Sequence, residues 1–354
     1  MPRDPFDHRM RPLQSLFLIE EASQVGNARR GAAELAASLG FDDTQAGKVG
    51  IAINECGTNI LKHAGRGRLL LNALETNGNR GIEILALDKG PGIANLQSSL
   101  RDGYSTTGTM GGGLGALSRI ADGFQVFTQP GRGAALRVEI WNRPWQSRAS
   151  AIEYGGVCLA KPGEPVAGDA WGVELNHDLG TVLVADGLGH GLEASTAARA
   201  AMDVLTRHSD EAPHTLIEEC HSALARTRGA AVAAAKLSSS GERGSYAAVG
   251  NIVGRVEGTG GPRNLLSYNG IVGHTMRKLQ EVTFSWPRGA LLVMHSDGLG
   301  THWQLRTYPG LAARHPSLIA AVLYRDYDRG NDDVSVVVLR NRGLALDRNA
   351  GRNA

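Results

Sequence analysis

The first clear pattern is the apolar run "SLFLIE" at residues 15–20, which predicts a short strand. In the two longer stretches that follow, apolar positions recur every three or four residues. Residues 22–40 end on Gly40; residues 42–65 begin with two aspartates and end on Gly65. Acidic side chains suit the positive end of a helix, and glycine suits the left-handed turn that closes one, so both stretches predict helices. Then "RLLLNALE", "IEILALD", "FQVFTQ" and "AALRVEI" predict four strands. They are short and turn-bounded, as in an antiparallel sheet covered by helices on one face.

The pattern breaks at "NRPWQSRAS" (142–150), where Pro144 and a polar run predict a domain boundary. Strands are expected again near 152–160 and 170–175, then at "TVLVADG". Helical spacing returns in "LEASTAARAAMDVLTRH" and near 213–227, followed by the strands "AVAAAKLS", "GSYAAVG", "NIVGRVE", "ALLVMHSDG" and "DDVSVVVLR". Many strands with two adjacent helices predict sheets packed together with helices outside. The expected fold class is therefore α/β (α+β) in two domains, 12–142 and 150–341, with 342–354 a disordered tail.

Composition narrows the function classes. A net charge of +2 over 354 residues makes no case for nucleic acid or an anionic membrane as partner. No stretch approaches about 18 uninterrupted apolar residues, and the polar, proline-containing start has no apolar signal core, so a cytoplasmic protein is expected. Cys56, Cys158 and Cys220 are too far apart for a metal motif and are read as buried thiols. The 47 glycines are aperiodic and cluster in a few strings, suggesting backbone approached closely by phosphate or metal.

Glu55 and Asn59, four residues apart, share a helix face. "LALDKGPGI" then places Asp88 at a strand end with Gly90 and Gly92 in the turn behind it. "GYSTTGTMGGGLGALSRIAD" feeds a helix from a glycine-rich loop whose N–H groups suit phosphate, although no Walker-type Lys-Ser/Thr pair follows. This order resembles the GHKL ATPase superfamily, with its Bergerat-type helix/sheet sandwich, and within it the serine kinases of bacterial partner switches. The resemblance covers about residues 15–141. It implies that Asp88 recognises the adenine amino group, that Asn59 holds Mg²⁺, and that Glu55 is the base for a substrate hydroxyl. It also implies that Gly111, Gly112, Gly113 and Gly115 cover the phosphates of ATP. Ala134 departs from the pattern, standing where many relatives place a threonine that supports the adenine-binding Asp.

"DGLG" occurs twice, at 186–189 and 297–300, each time after an apolar run. A single Asp-Gly is ordinarily a turn. With Asp169 in "GEPVAGDAWG" and Asp332 and Asp333 in "RGNDDVSVVVL", however, the acids at strand ends form a set. Carboxylates that converge repel one another and are normally held by cations; an oxygen-only set without His or Cys spacing selects Mg²⁺ or Mn²⁺. The series resembles the PPM family of metal-dependent serine/threonine protein phosphatases, in its SpoIIE-type branch, over about residues 151–340. That resemblance implies a β-sandwich flanked by helices. It also implies that Asp186 bridges two metal ions, that the Gly187 carbonyl binds one of them, and that Asp297 and Asp332 complete the other. Asp169 would support the site through water and Asp333 would be secondary. The second Asp-Gly is not expected to lend its carbonyl. The phosphate-binding Arg of distant relatives has no assignable counterpart.

His190 is read as structural, Trp171 and Trp303 as core, and no nucleophile elbow supports a Ser-His hydrolase. The expectation is a signalling phosphatase joined to an ATP-binding switch kinase, acting on a phosphorylated antagonist or scaffold protein of a partner-switching pathway. Two alternatives stay open: a first domain that only grips a protein partner in an ATP-dependent way, and a hydrolase of small phosphate esters. The sequence also leaves a homodimer open.

Overall fold

The computed structural model describes residues 14–76, 78–100, 113–143, 150–276 and 278–343. Gly111 and Gly112, the middle of the 142–150 boundary and the expected tail from residue 344 lie outside them. The chain divides into two compact units. The first gathers the N-terminal segment with Gln304–Arg314 and Ala321–Asp326; the second holds the remainder.

The N-terminal segment runs β1 (Ser15–Ile19), α1 (Ala22–Ser38), α2 (Asp43–Ala64), β2 (Gly67–Thr76), β3 (Asn79–Asp88), α3 (Leu96–Ser99), α4 (Gly113–Ile120), β4 (Gly123–Thr128) and β5 (Ala134–Trp141). The strands form one antiparallel sheet in the order β1-β2-β3-β5-β4. Both long helices start and stop where their end residues dictate. Asp42 caps α2 by accepting the Gln45 N–H at 2.7 Å, and Gly65 closes it at φ 75°. One face of the sheet packs Leu69, Leu71, Ile84 and Val138 against Ala28, Ala32, Ala52 and Ile53 of the helices. The β2–β3 register pairs Gly67 with Asp88, bringing the end of β3 beside the exit from α2.

The second part runs β6 (Ile152–Leu159), β7 (Asp169–Asn176), β8 (Leu179–Gly187), α5 (Leu192–His208), α6 (Pro213–Leu224), β9 (Ala230–Ser238), β10 (Arg243–Val249), β11 (Val253–Glu257) and β12 (Arg263–Leu265). It continues with β13 (Gly270–Ile271), β14 (Thr275–Met276), β15 (Val282–Ser285), β16 (Leu291–His295), α7 (Pro316–Tyr327) and β17 (Val334–Asn341). Two five-stranded sheets result, β15-β10-β9-β8-β7 and β12-β11-β16-β17-β6. Their inner faces meet in one core in which Val182, Val184, Ala233 and Tyr246 touch Leu292, Met294, Val337 and Leu339. On the opposite face of the first sheet, Leu183, Ala185 and Val232 pack under α5 and α6 through Ala197, Ala201, Ile217 and Cys220. The period of two along β8 thus splits its side chains between two cores, and the same parity carries Asp186 to the inter-sheet side.

This is the expected sandwich with outer helices, with two corrections. A third helix, α7, is present. Residues 251 and 252 precede β11 instead of belonging to it, which leaves Asn251 in a turn.

Candidate functional site

In the first unit Glu55 and Asn59 are half-buried on α2, one turn apart, and Asp88 ends β3. The Asp88 carboxylate is fixed through one oxygen: Oδ1 accepts the Gly90 N–H at 2.8 Å and the Ala134 N–H at 3.2 Å. The position that lacks the expected threonine therefore still supports Asp88, through its main chain. Both of these bonds fall on Oδ1, which, among the described residues, leaves Oδ2 for a ligand. The glycines behind Asp88 are demanded by contact. A Cβ on Gly90 would meet Ala64 Cβ at 2.7 Å, which locks this turn against the end of α2. Gly92 has φ +78° and its Cβ would meet the Gln129 carbonyl at 2.7 Å. Gly113 and Gly115 begin α4, at the helix end that favours phosphate.

In the second unit three strand ends converge. Asp186 is the last-but-one residue of β8, Asp297 lies two residues past β16, and Asp332 lies two before β17. All three line one cavity of about 240 Å³, with Lys161, His190 and Asn251. Asp169, 5 % exposed, starts β7 and faces Asp186 across the β7–β8 register. Burial, then the carboxylates of Asp297, Asp332 and Asp333, push Asp186 up to about 7, against the pull of the Asn251 amide. Burial, then the Asp186 charge, raise Asp169 well above the usual carboxylate range, opposed by the nearby Ser296 hydroxyl.

This is a donor set of hard oxygens whose charges are unfavourable together, which fits Mg²⁺ or Mn²⁺. Among the described residues, no three of these groups are drawn in to the separation that would grip an ion as they stand.

The two Asp-Gly turns differ in their backbone. A Cβ on Gly187 would meet the Ala194 carbonyl at 2.1 Å, so the start of α5 sits directly on it. A Cβ on Gly298 would meet the Asp333 carbonyl at 2.0 Å, and the Gly298 carbonyl already accepts the Arg329 N–H at 3.0 Å. Asp333 braces the site from behind: its Oδ1 accepts the Lys161 N–H at 2.9 Å.

Asn251 was not foreseen as a site residue. Its Nδ2 donates to Asp297 Oδ2 at 2.6 Å, and the only sequence signal was its place in "VGNI" after an apolar strand. Lys161 was likewise unforeseen. His190 lines the cavity but is bound by Glu164 at 2.6 Å. Trp303 is buried and Trp171 packs against the inter-sheet core. Burial pushes the Cys56 and Cys220 thiols up to about 12, as inert core residues require.

Residues 19–140 match the family described as histidine kinase-like ATPase domain, and residues 178–342 match the family of stage II sporulation protein E, SpoIIE. The chain is 33 % identical over 130 residues to the serine/threonine-protein kinase RsbT of Bacillus subtilis (strain 168), covering 37 % of this chain and 98 % of that kinase. It is 27 % identical over 142 residues to the phosphoserine phosphatase RsbX of the same organism, covering 40 % of this chain and 71 % of that phosphatase. Among solved structures, it is similar to a chain described under the bacterial stressosome, a modular system adapted to control secondary messenger signalling. That match has a TM-score of 0.51 at 30 % identity, over 53 % of this chain and 99 % of the other.

Proposed function

Because the chain belongs through its first domain to the family of the switch kinase RsbT, and joins a SpoIIE-type phosphatase domain to it, we propose a two-domain cytoplasmic signalling enzyme. Its second domain removes phosphate from phosphoserine or phosphothreonine of a protein partner. Its first binds ATP with Mg²⁺ and phosphorylates a partner of the same partner-switching class. The names of the two curated relatives, a serine/threonine kinase and a phosphoserine phosphatase, support that pairing. No helix among the described residues is long and apolar enough to cross a membrane.

The observation that carries the phosphatase reading is the meeting of Asp186, Asp297 and Asp332, far apart in sequence, at one cavity with Asp169 behind them. Asp186, the Gly187 carbonyl, Asp297 and Asp332 would hold two divalent cations, and Asp169 would act on them through water. When bound, such cations would lower the pKa of a water so that, deprotonated, it can attack phosphorus, and would neutralise the charge of the phosphate. Lys161, in the cavity wall, attracts the dianionic ester. Asn251 fixes the Asp297 carboxylate through its amide and opposes the rise in the proton affinity of Asp186. Asp333 ties the Lys161 backbone to the start of β17, so that the lysine and the carboxylates move as one piece.

In the first domain Asp88 receives the adenine amino group on its free oxygen, and Gly113 and Gly115 bring the amino end of α4 to the phosphates. Asn59 would hold the Mg²⁺ of ATP. Glu55, one turn earlier on the same face, accepts the proton of the incoming hydroxyl.

The direct test is release of phosphate from a phosphoserine peptide in Mn²⁺. The wild-type chain turns it over, and Asp186→Asn lowers kcat by more than about 100-fold, because losing a ligand exceeds the cost of losing an outer partner. Equal activity in that variant would overturn the assignment.

A further inference from the structure

The Asn251 side chain is a shared wall. Besides the carboxylate cavity, it lines a second and larger one of about 360 Å³, whose other walls include Arg255, Asn264, Ser267, Thr301 and Trp303. The same amide that donates to Asp297 therefore forms the boundary between the reacting centre and this neighbouring space. We infer that the second cavity is a substrate subsite that seats the main chain flanking the phosphorylated residue of a polypeptide. The inference rests on the phosphatase reading above and specifies the substrate class for that same site.

Charge decides what the cavity takes. Its cation, Arg255, is already spoken for: Nε pairs with Glu257 at 2.7 Å, and the guanidinium lies 4.5 Å over the Trp303 ring. Those two charged side chains are 14 % and 16 % exposed, so the pair is largely withdrawn from solvent. A neutralised arginine gives little attraction for a second phosphate or a nucleotide. What remains at the wall is the uncharged hydrogen-bonding chemistry of Asn264 and Thr301, both exposed. That combination matches peptide amides.

The backbone points the same way. Among the described residues, β12 is the outermost strand of its sheet and pairs with β11 on one side only. Its other edge offers main-chain groups to an extended segment, the arrangement by which sheet edges capture peptides. Ser267 Oγ donates to the Gly250 carbonyl at 2.6 Å, which ties the segment after β12 to the turn that holds Asn251. A chain lying along β12 is thereby led toward the residue that touches Asp297.

The experiment compares p-nitrophenyl phosphate, free phosphoserine and the amidated peptide Ala-Ala-Ala-pSer-Ala-Ala-Ala in Mn²⁺, for the wild-type chain and for Thr301→Arg and Asn264→Arg. Both substitutions sit at exposed positions and fill the cavity without touching a carboxylate. The inference predicts a lower KM for the peptide than for phosphoserine in the wild type. It predicts that each variant raises the peptide KM by about tenfold or more, equivalent to ~1.4 kcal/mol, while kcat and KM for p-nitrophenyl phosphate stay within about twofold. An unchanged peptide KM in both variants, or equal losses on peptide and p-nitrophenyl phosphate, would overturn the subsite and leave the phosphatase reading standing. A wild-type chain that turns over none of the three would overturn both.

Discussion

Asp169 and Asp186 stand opposite each other across β7 and β8, one opening its strand and the other next to the end of its own. Directly paired like charges weaken a sheet, and here the pair is also withdrawn from water. Asp297 and Asp332 add to the repulsion from their own strand ends. The fold thus holds, at one point, charge that benefits from a divalent ion.

It follows that Asp186→Asn stabilises the chain when no divalent cation is present. Relief of burial and repulsion, discounted for the openness of the cavity, amounts to about 1–2 kcal/mol, or a Tm rise of about 2–6 °C. Thermal unfolding in chelator measures it; a lower Tm would show that the carboxylates do not oppose one another. Adding Mn²⁺ is expected to raise the Tm of the wild type and leave the variant almost unmoved.

The two Asp-Gly turns predict the same kind of failure against different partners. Gly187→Ala forces a methyl into the Ala194 carbonyl, and Gly298→Ala forces one into that of Asp333. Each is expected to cost about 3 kcal/mol, the upper end for overpacking, because main chain and not a flexible side chain must yield. Urea unfolding checks both, and a cost below about 1 kcal/mol would mean that the turns are looser than described.

If Asp88 is the adenine contact proposed above, Asp88→Asn is expected to weaken ATP binding by at least about tenfold. Glu55→Ala should keep ATP affinity and lose transfer to a protein serine. Equilibrium binding of a fluorescent ATP analogue separates the two. Loss of affinity in both variants alike would contradict the division of roles.

The buried thiols give a pH dependence. Cys56 and Cys220 are held near 12 in the folded chain, above the usual 9, so folding favours their protonated form. Their contribution is intact below pH 9 and is lost as pH rises from 9 toward 12, by about 1.4 kcal/mol per thiol at pH 10. Urea midpoints at pH 8 and pH 10 for the wild type and Cys220→Ala test this. The variant should fall less; an equal fall would contradict it.

Much of this was legible in the sequence because of how strands and turns are built. The run "TVLVADG" reads as a strand because Val182 to Ala185 alternate between two cores and are all apolar. α7 was not legible. In "PSLIAAVLYRDY" nearly every position from Leu318 to Tyr324 is buried, so no polar face marks the helical period. Asn251 escaped for another reason. Its partner Asp297 is 46 residues away, and only the pairing of β11 with β16 brings the ends of those strands together. No local spacing carries that information. Asp333 shows the converse: the sequence places it beside Asp332, but only the hydrogen bond to Lys161 shows that it braces the site.

The measurement that reaches the centre of the account is equilibrium binding of Mn²⁺ to the nucleotide-free chain by titration calorimetry. Two ions are expected to bind the wild type, and Asp186→Asn, which removes the carboxylate proposed to hold them, is expected to lose both from the accessible affinity range. Identical binding in wild type and variant, or none in either, would contradict a metal centre built on Asp186, Asp297 and Asp332.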